Sequence, residues 1–219
     1  MILMLIAGVD EAGRGPCMGP LVLAAATIEK EDEELLFKSG VKDSKLLSPT
    51  KRESLFPKVH ELCNEIAVES IEADELDSLM ARKSLNEIEA MRIGRALNSL
   101  KEKPDIVYVD SPDVISSNFA KRIIKYISFK PKIISEHKAD TNYTIAGAAS
   151  IVAKVSRDNR IKELAESYGN LGSGYASDER TIKFIKNFLY KNNKLPPFVR
   201  RCWLTTERIL NERYQKKLF

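Results

Sequence analysis

Residues 2–28 read ILMLIAGVDEAGRGPCMGPLVLAAATI. Two apolar runs, 2–9 and 21–28, flank a Gly- and Pro-rich turn at 13–20. This is the pattern of a strand, a tight loop and a second strand pairing antiparallel with the first. Working outward, Ser48-Pro49 opens a helix, with Ser as its cap and Pro in the first turn, and a stripe of Leu55, Val59 and Leu62. A strand follows at 66–71, then helix over 74–100 with a break near Lys83-Ser84 and Ile88, Met91 and Ala96 at helical spacing. Residues 105–110, DIVYVD, are rich in β-branched side chains and form a strand. Next come a helix through Phe119, Ile123 and Ile127, a strand at 132–135, and a long helix over 146–168. The small residues AGAAS at the start of that helix permit close packing, and the glycines of 169–174 end it. Helices at 178–190 and 205–214 flank the loop NNKLPPF. Strands interleaved with helices specify an α/β domain with a helical appendage.

The composition fits this. Of 219 residues, 43% are hydrophobic and 30% charged, enough apolar surface to offset chain entropy and to exclude a disordered chain. The net charge of +4 says little, but its placement says more. Residues 180–219 hold eleven Lys or Arg against two Asp or Glu, whereas the rest of the chain is net acidic. An acidic body with a basic arm suits a phosphate-bearing partner, and equally a solvated helical tail. Three widely spaced cysteines, Cys17, Cys63 and Cys202, argue against a disulfide framework and for a reducing compartment, the cytoplasm. With His60 and His137 as the only histidines, Cys/His zinc sites and His-based triads lack material, so any metal must take hard oxygen ligands. The apolar start lacks a basic leader and is far shorter than the roughly 18 residues that span a bilayer. It is read as a buried strand, with no membrane partner expected.

Four acids fall where core strands are expected to end: Asp10 and Glu11 after the first, Asp110 after DIVYVD, and Asp140 after IISEHKA. Ligands of open α/β sheets gather at such ends. Successive strand residues face opposite ways, so Asp10 and Glu11 share a site only if the strand bends there, which the glycines at 13 and 15 allow. Converging carboxylates need a counter-ion. A pair of hard divalent cations about 4 Å apart is the arrangement that stabilises both oxygens of a phosphodiester displacement. The alternative for each acid alone is a helix cap or surface ion pair. The loop GVDEAGRGPCMGP is neither a dinucleotide fingerprint nor a P-loop, but Arg14 between two glycines can set a guanidinium beside a phosphate.

At this point the motifs carry a resemblance. GVDEAGRGPCMGPLV, KDSKLLSPTKRE, VYVDS, HKADTNYTIAGAASIVAKVSRD, GSGY and FVRRCWLTT, in this order over residues 6–206, resemble the ribonuclease HII family. The resemblance implies a ribonuclease-H-like fold, a mixed five-stranded sheet flanked by helices with a C-terminal helical extension. Residues 1–177 would be the catalytic domain and 178–219 the basic extension. It implies an endoribonuclease that cuts the RNA strand of RNA–DNA hybrids and single ribonucleotides in duplex DNA. Two Mg²⁺ or Mn²⁺ ions would be used, leaving 3′-hydroxyl and 5′-phosphate ends. Such activity serves RNA primer removal and ribonucleotide excision, and a monomer is implied.

Residue by residue, the resemblance makes Asp10, Glu11, Asp110 and Asp140 catalytic and metal-binding. Gly13, Arg14 and Gly15 would meet the ribonucleotide 2′-hydroxyl and adjacent phosphates, Lys45 a phosphate, and Tyr175 the next sugar. A reader of the 2′-hydroxyl through backbone groups is tolerant of base sequence. Lys154 and Arg157 stand three apart on one helix face, serving a backbone channel or structural ion pairs. His137, three residues before the fourth acid, is read as a neutral surface or packing group, with assistance to proton transfer as the alternative, and Trp203 as a packing anchor. The end, QKKLF at 215–219, resembles a sliding-clamp-binding motif but departs from it, because the aromatic directly follows the aliphatic. Another ribonuclease-H-like nuclease such as a junction resolvase, and a non-catalytic phosphate- or nucleotide-binding protein, are the competing readings.

Overall fold

The computed structural model describes residues 4–41 and 47–216. Lys45 lies outside the described residues, as do the last three residues of the QKKLF tail. The strands are β1 (Leu5–Ala12), β2 (Leu21–Glu29), β3 (Glu65–Ile71), β4 (Ile106–Asp110) and β5 (Lys132–Glu136), in the order β3-β2-β1-β4-β5. β1 and β2 pair antiparallel from Leu5↔Glu29 to Ala12↔Val22, as the opening stretch leads one to expect. β4 lies parallel to β1 from Ile6↔Ile106 to Val9↔Val109, and β5 parallel to β4, so the sheet is mixed.

The helices are α1 (Glu33–Lys38), α2 (Pro49–Leu62), α3 (Ala73–Met80), α4 (Leu85–Ser99), α5 (Ser116–Ile124), α6 (Ala139–Asn142), α7 (Thr144–Tyr168), α8 (Glu179–Asn192) and α9 (Leu204–Lys216). Ser48 caps α2, its hydroxyl accepting from the Lys51 N–H at 3.2 Å, and Ser84 caps α4 in the same way after the expected break. α5 stops at Ile124, short of the expected Ile127. There the chain turns onto α4, where Asn98 donates to the Tyr126 carbonyl (2.8 Å) and accepts from the Ser128 N–H (2.8 Å). The one-turn α6 and the short α1 are not legible as helices, being too brief to show a period.

Two compact units divide the chain. The sheet unit takes the chain up to Ala12, Val22–Ser70 and Ser84–Ser156. The helical unit takes Gly13–Leu21, Ile71–Lys83 and the chain from Arg157 onward. The glycine loop, α3 and the second half of α7 thus group with the C-terminal helices, not with the sheet.

In the sheet unit, Ile6, Gly8, Asp10 and Ala12 alternate onto one face of β1, and α7 covers that face. Its core joins Ile6, Ala26 and Ile28 to Leu55 and Val59 of α2 and to Ile145, Ala149 and Val152 of α7. Each large aliphatic side chain buried there contributes about 1.5–3 kcal/mol. The contact between β1 and α7 is backbone to backbone: a Cβ placed on Gly8 would sit 2.2 Å from the Ile145 carbonyl carbon and 2.3 Å from the Ala146 nitrogen. The small residues of AGAAS and Gly8 together allow this approach. Glu33 of α1 accepts from the Ile145 N–H at 3.3 Å, satisfying a donor at the start of α7.

The helical unit packs Met18, Ile161, Leu164, Ile185, Leu189, Phe198 and Val199 into its own core, with Trp203 against it as the expected anchor. Met18 and Val199 form an isolated antiparallel bridge. Gly13 and Gly19 hold positive φ (91° and 85°), where a Cβ would strike the Pro20 carbonyl oxygen at 2.4 Å and Ile161 Cδ1 at 2.4 Å respectively, so both positions require glycine. Asp178 caps α8 through the Arg180 N–H (3.0 Å). Among the described residues no helix is long and apolar enough to cross a membrane.

Candidate active site

In the sheet unit the close approach of α7 fixes the surroundings of Asp10. Val9 pairs with Val109 in the parallel register, so Asp10 and Asp110 follow at the same level on neighbouring strands and on the same face. Tyr108, two residues before Asp110, stacks on Tyr143 at 4.0 Å, which ties this face of β4 to the segment just before α7. Asp110 is half-buried and accepts from the Ala139 N–H at 3.2 Å. That bond seats the first turn of α6, which carries Asp140, only 1% exposed.

Asp10 is itself buried, and its pKa rises from 3.8 to about 6. Burial is the main cause, and the Asp140 charge pushes the same way. The Ser150 hydroxyl, the Lys154 ammonium and the Glu11 N–H pull it back. Ser150 and Lys154 stand one helical turn apart on α7, and Lys154 Nζ donates to Ser150 Oγ at 2.7 Å. A chain Lys154–Ser150–Asp10 therefore brings one positive charge towards the carboxylates.

Two placements differ from the sequence reading. β1 does not bend at Asp10–Glu11 but continues to Ala12, with Glu11 opposite Leu23 of β2, and the turn comes at Gly13. Glu11 is half-buried one residue further along the strand. Asp140 is not a strand-end residue: β5 stops at Glu136, Lys138 takes a left-handed φ of 61°, and Asp140 follows in α6. His137 has its ring nitrogens 3.1 Å from the Ser111 carbonyl oxygen and 3.4 Å from that of Val114, so it shapes the loop after β4. Among the described residues no group of three or more Asp, Glu, His or Cys forms a ready-made metal cage. The oxygen donors nonetheless suit a hard cation. A Mg²⁺-type ion takes one or two carboxylates and completes its shell with waters and substrate phosphate. Asp10, ionised with difficulty beside Asp140, is the kind of carboxylate such an ion stabilises.

The helical unit holds the other expected residues. Gly13, Arg14 and Gly15 form a turn stapled from behind by Arg200, which is fully buried. Arg200 Nη2 donates to the Gly13 carbonyl (2.6 Å), Nη1 to that of Arg14 (3.4 Å) and Nε to that of Gly19 (3.1 Å), with the guanidinium 4.6 Å over the Trp203 ring. Burial, and then the Arg157 charge, lower the Arg200 pKa to about 10, so it remains a cation at neutral pH.

Arg157 is also buried, donating to the Ser173 carbonyl (2.9 Å) and to Asp158 (3.1 Å) while its guanidinium lies 5.3 Å from the Tyr175 ring centroid. A Cβ on Gly15 would stand 3.7 Å from Tyr175 Cε1, so loop and ring are neighbours. Tyr175 is 42% exposed and offers its open surface to solvent. The Cys17 N–H donates to the Gly174 carbonyl at 2.9 Å, closing the loop onto the tyrosine's segment. Lys154 and Arg157 therefore serve separate partners. Ser150 and Arg200 were missed in the sequence. Ser150 lies one turn before Lys154 and Arg200 sits inside FVRRCWLTT, and only tertiary contact reveals what either does.

Acids level on the neighbouring parallel strands β1 and β4 of a sheet ordered 3-2-1-4-5 are the arrangement of the ribonuclease-H-like fold. The comparisons with known proteins narrow it. The family model described as Ribonuclease HII matches residues 7–206. A ribonuclease HII of Thermococcus sibiricus is 46% identical over 214 residues, covering 98% of this chain and 94% of that one. The crystal structure of the ribonuclease H2 from Pyrococcus horikoshii OT3 superposes with a TM-score of 0.91 at 45% identity, covering 97% of this chain and all of that one. The ribonuclease HII in a PCNA:RNase HII complex from Archaeoglobus fulgidus gives a TM-score of 0.83 at 40% identity, over 91% of this chain and 95% of that one. The chain belongs to the ribonuclease HII family. It is an endoribonuclease of the ribonuclease H type, a hydrolase that acts on RNA–DNA hybrids.

Proposed function

We propose that Asp10, Asp110 and Asp140 hold two Mg²⁺ or Mn²⁺ ions and with them hydrolyse a phosphodiester beside a ribonucleotide, leaving 3′-hydroxyl and 5′-phosphate ends. Glu11 joins them on the family resemblance alone, since the unbent β1 does not bring it onto the face of Asp10. The observation that carries the reading is the burial of Asp10 beside Asp140, with its pKa lifted to about 6: a carboxylate kept poor in counter-charge until a cation arrives. Bound divalent cations supply an activated water and stabilise the departing 3′-oxygen. Asp10 and Asp110, level on adjacent strands, orient those ions, and Asp140 approaches from α6. Lys154, held by Ser150, limits the repulsion among the acids before substrate binds.

In the same proposal Gly13, Arg14 and Gly15 read the 2′-hydroxyl and the neighbouring phosphates, and Tyr175 packs on the adjoining sugar. The support is the rigid mounting of both, by Arg200 and by Arg157. A backbone reader fixed in this way recognises the sugar and ignores the base. Lys45 is proposed as a phosphate contact on the resemblance alone. The test is cleavage of a duplex with one ribonucleotide against an all-DNA duplex and a four-way junction. Cutting of the first only, stopped by a chelator and lowered more than about a hundredfold by Asp110→Asn, is expected. Equal cutting of the junction, or near-normal turnover by the variant, would sink the assignment.

The Archaeoglobus relative was solved with PCNA. We infer that QKKLF at 215–219 docks a sliding clamp; recovery by clamp pull-down should drop when those five residues are removed, and equal recovery would discard the idea. The three unpaired cysteines support action in the reducing cytoplasm.

A further inference from the structure

The helical unit carries a second surface that none of the catalytic assignments uses. The end of α7 and the outer face of α8 enclose a cleft of about 630 Å³, lined by the rings of Tyr168, Phe184 and Phe188 and by Lys183, Asn187 and Lys191. On α8 these make two rows. Phe184 and Phe188 are one turn apart, and Lys183, Asn187 and Lys191 run beside them at the same spacing. The two lysines stand about 12 Å apart along the helix axis. Arg180, at the cleft's edge, is already gripped by Asp178 at 2.8 Å and 3.0 Å. Among the described residues no acidic side chain lines the cleft.

Tyr168 decides what fits. Its ring meets buried Phe198 edge-on at 4.8 Å and lies 6.1 Å from Phe188, yet the residue is 41% exposed. The ring is thus held in one orientation with an open surface. Phe184 packs against the unit's core and stacks on Phe198 at 6.0 Å, so the open ring surface beside the lysines is that of Tyr168. Cations without acids call for a polyanion, and an open ring calls for a flat apolar group. An unpaired nucleic-acid strand supplies both, phosphates and unstacked bases on one chain. A duplex does not, since its base faces are covered by its own stacking, and a free anion has no use for the ring.

We propose that this cleft binds a single-stranded nucleic-acid segment, with Lys183 and Lys191 on its phosphates and a base on Tyr168. The site concerns binding alone and is tested with an uncleavable strand, so it stands or falls apart from the assignment of the cutting residues. The experiment uses the whole protein in chelator with a fluorescent oligodeoxythymidine of about eight nucleotides, followed by anisotropy over a range of salt.

The strand should bind more tightly than a blunt DNA duplex of equal length. Tyr168→Ala should weaken it roughly tenfold, one base's worth of stacking, while Tyr168→Phe keeps the affinity. Lys183→Gln with Lys191→Gln, both exposed positions, should lower the slope of log affinity against log salt by about 1.4, two phosphates' worth on a single strand. Equal binding of the duplex overturns the proposal. So does displacement by poly-glutamate or inorganic phosphate as readily as by unlabelled strand, which would mark a docking site for acidic peptide or a plain anion site. Unchanged affinity in both the Tyr168→Ala and the double lysine variants overturns it as well.

Discussion

Asp10→Asn is expected to cost at least about a thousandfold in cleavage rate while leaving the metal-free protein as stable as before, or more so, at neutral pH. Asn keeps the shape of the side chain and can still accept from Ser150, so the fold loses little. What disappears is the negative charge on which the proposed hydrolysis depends, worth several kcal/mol where a cation must be held against a phosphate. The stability half of the result follows from the direction of the pKa change. The Asp10 carboxyl titrates near 3.8 when the chain is unfolded and at about 6 in the fold. Between those values the fold binds the proton that the unfolded chain has lost, so stability falls as pH rises through this window. Above it the folded protein bears a penalty of about 3 kcal/mol for an ionised buried group, at 1.36 kcal/mol per pH unit. Asn carries no such penalty. Urea unfolding in chelator should show variant and wild type converging near pH 4 and the variant ahead at pH 7.5. A variant that cuts within tenfold of wild type would remove Asp10 from the chemistry. A variant less stable at pH 7.5 would mean that the bond to Ser150 and the Lys154 charge outweigh the burial.

Arg200→Ala should destabilise the protein by about 3–5 kcal/mol, the largest fold effect expected of any single change to the loop's support. The buried guanidinium satisfies the carbonyls of Gly13, Arg14 and Gly19 from one planar fork and lies over Trp203. Alanine leaves those acceptors short of donors and opens a void beside the indole. Lysine restores the charge but not the fork: a single ammonium cannot reach both Gly13 and Gly19 with the same geometry, so Arg200→Lys should recover less than half of the loss. The functional part of the effect is separate. With the turn loosened, the surviving folded protein should discriminate less sharply between a one-ribonucleotide duplex and all-DNA. Denaturant unfolding measures the first effect and the ratio of cleavage rates the second. A loss under about 1 kcal/mol would show that the loop holds itself.

Much of this was readable from residue order. The apolar runs around GVDEAGRGPCMGP specify β1 and β2, the Lys83-Ser84 break separates α3 from α4, and AGAAS foretells a helix pressed onto a strand, which Gly8 completes. The roles proposed for Gly13, Arg14, Gly15 and Tyr175 rest on the family resemblance, because spacing alone allows a plain structural turn. What could not be read is long-range or very short. Arg200 finds its carbonyls 181 to 187 residues away, and nothing local marks it among eleven cations of the C-terminal region. α6 is a single turn entered through left-handed Lys138, so Asp140 looks like the end of a strand until the backbone is seen. The membership of residues 13–21 and 71–83 in the helical unit is likewise set by tertiary packing.

The parallel pairing of β1 with β4 has a consequence for the order in which the enzyme comes into being. β1 meets β2 across a short loop, but Val9 waits for Val109, a hundred positions later in synthesis, and Ser150 and Lys154 come later still. Contacts of such separation close slowly, because the loop entropy is lost before the contact is gained. A ribosome-bound chain therefore carries Asp10 and Glu11 early, but the surroundings of Asp10 are complete only once α7 has emerged and docked on Gly8. On the proposed roles, the full set of acids comes together only when the sheet unit is complete.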